Sequence, residues 1–83
     1  MVRYTDYARK RLGRRDISMG LVSSVVSNPE QLIEERGRKI AQSRWTTPRG
    51  KEHLLRVVYE ESGDEIVIVT VHDTSKFQKY RRA

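Results

Sequence analysis

Residues 53–72 read HLLRVVYEESGDEIVIVTVH and carry the strongest strand signal of the chain. From His53 to Glu60 the side chains divide into two alternating rows, as expected for a strand. Residues 65–72 are rich in Val and Ile and are apolar on both faces, which is typical of a central strand. Between them, residues 61–64 contain Gly63 and predict a hairpin turn.

Shorter strand signals precede this hairpin. Leu32 and Ile33 predict a short strand that leads into a tight turn at residues 36–38. A further strand is predicted over residues 39–46, where Trp45 is expected to pack in the core, and a loop follows over residues 46–50.

Two amphipathic helices are predicted before the strands, over residues 5–13 and 18–27. Both have boundary residues at suitable places, namely Thr5 or Asp6 and Ser18 as caps, and Gly13 and Asn28-Pro29 as stops. The pattern indicates one α+β domain over residues 1–83, in which two N-terminal helices pack on an antiparallel meander of three to four strands. The other sheet face is expected to be open to a partner, and residues from about 74–83 form a basic tail.

The composition limits the function. The 83 residues carry a net charge of +6, and the bases are concentrated in residues 1–16, residues 36–56 and the last eight positions. If folding brings these segments together, they form a surface that binds polyanions such as RNA.

The chain has no cysteine and two histidines, so neither a metal nor another cofactor is predicted. No run of apolar residues is long enough to cross a membrane. A cytoplasmic location is expected.

Metal-independent RNA cleavage requires groups that hold a phosphate, stabilise the developing charge and move protons. The side chains that fit these roles are predicted to be catalytic at His72, Arg56, Tyr80 and His53, and RNA-binding at Arg44, Lys76, Lys79 and Arg81. Pairing about the hairpin turn is expected to bring His53 close to His72. Arg56 is interpreted either as a phosphate clamp or as the partner of an acid such as Glu65. The basic tail is interpreted either as an RNA-binding segment or as a terminus with Phe77 docked on the core.

Residues 7–18, YARKRLGRRDIS, resemble the pattern H-A-x-x-R-M-x-x-R-G-I-S of small bacterial domains similar to BrnT-type toxins, near the RelE/ParE toxin superfamily. The resemblance resumes at residues 55–59, 66–71 and 76–80. It implies a microbial-ribonuclease-like α+β fold and the toxin of a type II toxin–antitoxin pair. RelE-like relatives cleave messenger RNA, some of them on the ribosome, whereas ParE-like relatives poison gyrase, and the first activity is the one predicted here. By position it supports His72 and Tyr80 as site residues. The chain departs from the pattern at Tyr7, which replaces histidine, and at Asp16, which replaces glycine.

The implied partners are RNA or the ribosome and a cognate antitoxin. Two alternatives remain open from the residues. The first is a non-catalytic RNA- or ribosome-binding module, whose binding is expected to weaken with salt. The second is a protein-interaction domain that acts as a gyrase poison does.

Overall fold

A computed structural model describes residues 2–80, apart from the side chain of Arg15. Within this range the chain forms five strands and three helices, which confirms the predicted α+β class. The elements are β1 (Val2–Tyr4), α1 (Asp6–Arg15), α2 (Met19–Ser27), β2 (Gln31–Glu35), β3 (Arg38–Thr46), β4 (Glu52–Ser62), β5 (Glu65–Thr74) and α3 (Phe77–Tyr80).

The strands form one mixed sheet in the order β1-β5-β4-β3-β2. The four strands from β2 to β5 are an antiparallel meander, as predicted. The predicted strand count is too low because β1 adds to the sheet edge, parallel to β5, with Val2 opposite Ile66 and Tyr4 opposite Ile68. A segment of three residues is too short to show an alternating pattern, so this strand depends on its tertiary pairing.

Both long helices begin at predicted caps, and one of them ends later than predicted. The Thr5 hydroxyl accepts a hydrogen bond from the Ala8 amide, and Ser18 caps α2 in the same way. The predicted stop at Gly13 is wrong, because α1 continues through it to Arg15. The helix ends at Asp16, which takes the left-handed conformation with φ of 54°. Aspartate tolerates this region better than most residues, so it can end the helix without a glycine.

The core lies between α1, α2 and one face of the sheet. Its buried apolar residues are Ala8, Leu12, Ile17, Val22 and Val25 from the helical part, and Ala41, Leu55, Val57, Tyr59, Ile68 and Val71 from the strands. Trp45 is half-buried and packs against this cluster, which confirms its predicted core role.

The opposite sheet face is less open than the sequence suggests. On this face Leu54 is 2% exposed and Gln42 is fully buried. Gln42 donates a hydrogen bond to the Tyr80 carbonyl oxygen, so α3 returns across the sheet after β5. The part of the basic tail that the structure describes is therefore packed on the sheet.

Thr5 is expected to stabilise the fold in two ways, because its hydroxyl caps α1 and also donates to the Val69 carbonyl oxygen at 2.8 Å. Thr5→Val keeps the side-chain shape and removes both bonds, so the free energy of unfolding should fall by about 2 kcal/mol. Ser18→Ala, which removes a cap alone, should cost about 1 kcal/mol. Urea denaturation measures both values. Equal losses in the two variants would contradict a stabilising role for the bond to Val69.

Candidate functional site

A row of polar residues crosses four strands on the face opposite the two long helices. Gln31 is paired with Gln42, Gln42 with Arg56, and Arg56 with His72. Because directly opposed residues in antiparallel strands point to the same face, the four side chains lie next to one another. This register places two of the predicted catalytic residues, Arg56 and His72, side by side.

Gln42 is the buried centre of this row. Its Oε1 accepts a hydrogen bond from Arg56 Nε at 3.0 Å. Its Nε2 donates to Gln31 Oε1 at 2.7 Å and to the Tyr80 carbonyl oxygen at 3.0 Å. The oxygen and the nitrogen of the buried Gln42 amide therefore both have hydrogen-bond partners. Through these bonds Gln42 contacts both the Arg56 guanidinium and Tyr80, the last described residue of α3.

Tyr80 lies between the two predicted site residues of the sheet. The Arg56 Cζ atom is 4.2 Å from the centre of the Tyr80 ring, a distance at which a guanidinium is attracted to the face of an aromatic ring. The His72 ring meets the same ring edge-on, with centroids 5.5 Å apart. Arg56, His72 and Tyr80 thus come together as the sequence predicts, although Tyr80 reaches them through α3.

Arg11 joins this group from α1 and has no predicted role in the sequence. Its Nε donates to the Val71 carbonyl oxygen at 3.2 Å, and its Nη2 lies 3.4 Å from His72 Nδ1. A guanidinium can only donate, so this contact requires Nδ1 to accept and places the ring proton of His72 on Nε2.

Tyr7, one turn earlier in α1, packs its ring 5.8 Å from the Arg11 Cζ atom. We call Arg56, His72, Tyr80, Gln42 and Arg11 the Arg56 cluster.

His53 lies outside the Arg56 cluster, and its predicted proximity to His72 is wrong. The hairpin turns more tightly than predicted, with Ser62 opposite Glu65, and a register shift between Val58 and Tyr59 adds one more residue, so Arg56 and not His53 lies opposite His72. Since His53 is three positions from Arg56 along the strand, its side chain points to the opposite face. There its Nδ1 is 3.0 Å from Asp73 Oδ2.

Three of the four residues predicted to bind RNA are described by the structure, and their surroundings differ. Arg44 is paired with Glu30, whose carboxylate accepts its hydrogen bonds and raises the pKa of Arg44. Lys79 lies near the cluster, with Nζ 5.4 Å from the centre of the Tyr80 ring, and Lys76 is exposed at the start of the same segment. Arg81 lies outside the described residues.

The predicted alternative partner Glu65 is wrong, because Glu65 binds Arg3 at 3.2 Å and is opposite Ser62 in the sheet, while a pairing of Arg56 with another acid stays a prediction. Arg56 is instead held by Gln42. Phe77 is half-buried, in agreement with a docked tail.

The three basic segments of the sequence each supply a residue at the cluster. Arg11 comes from the first segment, Arg56 from the second and Lys79 from the last. Elsewhere, ion pairs with glutamates balance part of the basic surface, as at Arg38 with Glu60. The predicted convergence of the basic segments is therefore local, and it centres on Tyr80.

The described residues define a small α+β domain with a polar, cationic cluster on one sheet face. Residues 4–73 match the family described as Domain of unknown function (DUF4258), and the chain belongs to this family. No match was found among curated proteins or among solved structures. Within residues 2–80, His, Asp and Glu side chains form no group of three or more that could hold a metal ion. The same part of the chain has no helix of the length and apolarity that a membrane span requires.

Gln42→Leu tests whether the buried amide holds α3 in place. The variant removes a hydrogen-bond partner from Arg56, Gln31 and the Tyr80 carbonyl, so the free energy of unfolding should fall by about 1–3 kcal/mol. Trypsin should also cut faster after Lys76 and Lys79, because α3 is released. The control is Gln31→Leu, which removes one partner of Gln42 and keeps its bond to Tyr80. Equal tryptic rates in both variants would contradict this role of Gln42.

Proposed function

We propose that this protein is the toxin of a type II toxin–antitoxin system and that it cleaves RNA at the Arg56 cluster. The observation that carries the proposal is the stacking of Arg56 on Tyr80 beside His72. These groups match the needs of phosphodiester cleavage, namely a cation for the phosphate and polar side chains that exchange protons. The reaction would need no cofactor.

The chemistry is an attack by the RNA itself. The 2′-oxygen bonds to the neighbouring phosphorus, the bond from phosphorus to the 5′-oxygen breaks, and one proton passes overall from the 2′-oxygen to the 5′-oxygen. Arg56 would stabilise the charge that develops on the phosphate, since a guanidinium matches phosphate oxygens with two parallel N–H groups. Tyr80 and His72 would carry the proton, and Nε2 is the His72 nitrogen with a proton to give while Arg11 holds Nδ1.

The position of Arg56 favours this role over a purely structural one. Its Nε donates to Gln42, and its Cζ atom lies over the Tyr80 ring, so the guanidinium is held in place before any substrate arrives. A fixed donor stabilises a transition state without reorganising during the reaction. Lys79 adds a further positive charge at the same ring and would hold the RNA backbone.

The resemblance to BrnT-type and RelE/ParE toxins supports the same proposal. The resemblance implies N-terminal helices packed on an antiparallel sheet. This chain has two such helices on one face of its meander, and β1 is added as a parallel edge strand. A cognate antitoxin of complementary, acidic charge would cover the cationic surface, and the toxin would act in the cytoplasm on messenger RNA, free or on the ribosome.

Inducible expression, followed by viability and RNA integrity together, tests this function. Cleavage by the purified chain, with and without ribosomes, should fall about 100-fold or more in Arg56→Lys, which keeps the charge and loses the planar fork. His72→Ala combined with Arg56→Ala should abolish growth arrest. Arg9→Gln, an exposed site on α1, removes one charge and should leave cleavage within about twofold.

The other outcomes distinguish the alternatives. Full cleavage by the double variant would reject the Arg56 cluster as the active site. RNA binding that weakens steeply with salt, without cleavage by the wild-type chain, would identify a binding module instead. Growth arrest with intact RNA and a protein complex that survives high salt would identify a protein-interaction domain.

A further inference from the structure

A second polar site lies on the other side of the sheet, where β4 begins and β5 ends. His53 and Asp73 line an open groove of about 490 Å³ there. The groove is bounded by the end of α1, with Arg14 and Asp16, and by the turn that carries Arg49 and Lys51. We call it the His53 groove.

Asp73 fixes the orientation of the histidine. Its side chain is 7% exposed, and its Oδ1 accepts a hydrogen bond from Trp45 Nε1 at 2.9 Å. His53 Nδ1 lies 3.0 Å from Asp73 Oδ2 and 3.2 Å from Oδ1. Since a carboxylate accepts, His53 Nδ1 carries a proton and donates it to this bond. The Asp73 carboxylate is thereby engaged by Trp45 and His53, and Nε2 is the His53 ring nitrogen that can contact a ligand.

The turn that supplies two of the cations is internally braced. The Thr47 amide donates to the Lys51 carbonyl oxygen, and the Gly50 amide donates to the Thr47 carbonyl oxygen, both at 2.8 Å. The Lys51 amide also donates to the Thr47 hydroxyl. Gly50 has φ of 81°, a region that favours glycine and allows the chain to close. Arg49 and Lys51 are therefore presented from a defined backbone.

The charges around the groove favour an anion. Arg14, Arg49 and Lys51 bring positive charge, while Asp16 brings negative charge and Asp73 is engaged by His53 and Trp45. Guanidinium and ammonium groups donate to phosphate oxygens, and the imidazolium form of His53 adds an Nε2–H donor to this set. A carboxylate ligand would use fewer of these donors than a phosphate with its additional oxygens.

We propose that the His53 groove binds a phosphate ester, with Arg49 and Lys51 holding its oxygens and His53 Nε2 contacting it from the sheet. The site is separate from the Arg56 cluster, because His72 and Asp73 are consecutive residues whose side chains point to opposite faces of β5. The proposal therefore holds whether or not RNA is cleaved at Arg56. The ester is either a terminal phosphate of a nucleotide or an internal phosphodiester of a nucleic acid.

The test is an NMR titration of the full chain, ¹⁵N-labelled, with inorganic phosphate at ionic strength kept constant with sodium chloride. The His53 ring signals and the Arg49–Lys51 amides should shift and saturate together, while the Gly63 amide, in the β4–β5 turn away from both sites, serves as the internal reference. Arg49→Gln with Lys51→Gln should weaken the apparent affinity about tenfold or more. The matched control is Arg9→Gln with Lys10→Gln, which removes the same charge from an exposed part of α1 and should leave the affinity nearly unchanged.

Two further ligands identify the source of the phosphate. Binding of uridine 3′-monophosphate alone supports a terminal phosphate, and binding of both this nucleotide and the dinucleotide UpU supports an internal phosphodiester as well. The proposal is overturned if the His53 signals do not respond to phosphate. It is also overturned if the two double variants lose affinity equally, because the effect would then come from the general positive charge of the surface. Cleavage of RNA is a separate readout, so either result leaves the Arg56 cluster to be judged by its own variants.

Discussion

The hydrogen bonds of Gln42 connect the sheet to the C-terminal segment. Its amide is fully buried, and its partners are Gln31, Arg56 and the Tyr80 carbonyl oxygen. A helix of four residues such as α3 has no independent stability, because nucleation of a helix is unfavourable. Packing and hydrogen bonding to the sheet must therefore hold it in place. The position of Tyr80 over Arg56 depends on this attachment, and so does the assembly of the Arg56 cluster.

The end of β5 supplies two chemically different surfaces. His72 points towards Tyr80 and Arg56, while Asp73 accepts hydrogen bonds from the opposite side of the sheet, next to the core. The two-residue period of a strand makes this possible in adjacent positions. A chain of 83 residues has little interior in which to build a deep pocket, so it presents polar groups on both faces of one sheet instead.

The local patterns of the sequence predict much of the fold. The β4–β5 hairpin follows from the alternation around Gly63, and α2 begins and ends at the predicted Ser18 and Asn28. Both features depend on neighbouring residues alone. Strand β1 does not, since three residues gain strand structure through pairing with Ile66–Ile68.

The sequence predicts the residue types of the candidate site better than it predicts where their side chains lie. Arg56, His72 and Tyr80 are predicted from their residue types to bind phosphate and transfer protons, and in the structure the three side chains lie together. The position of His53 was not predicted, because the hairpin closes with Ser62 opposite Glu65 and because the register shift at Val58 and Tyr59 leaves no clear signal in the sequence. Gln42 reads as an ordinary polar position of a strand, and its burial follows from the return of α3 across the sheet.

The nuclear Overhauser effect between the ring protons of Tyr80 and His72 is the most direct measurement of this arrangement. In the isotope-labelled full chain, rings whose centroids are 5.5 Å apart should give a clear cross-peak, together with contacts from the Tyr80 ring to the Arg56 side chain. Tyr80 ring signals at random-coil positions, without a cross-peak to His72 or Arg56, would contradict the attachment of α3 to the sheet and the cluster that depends on it.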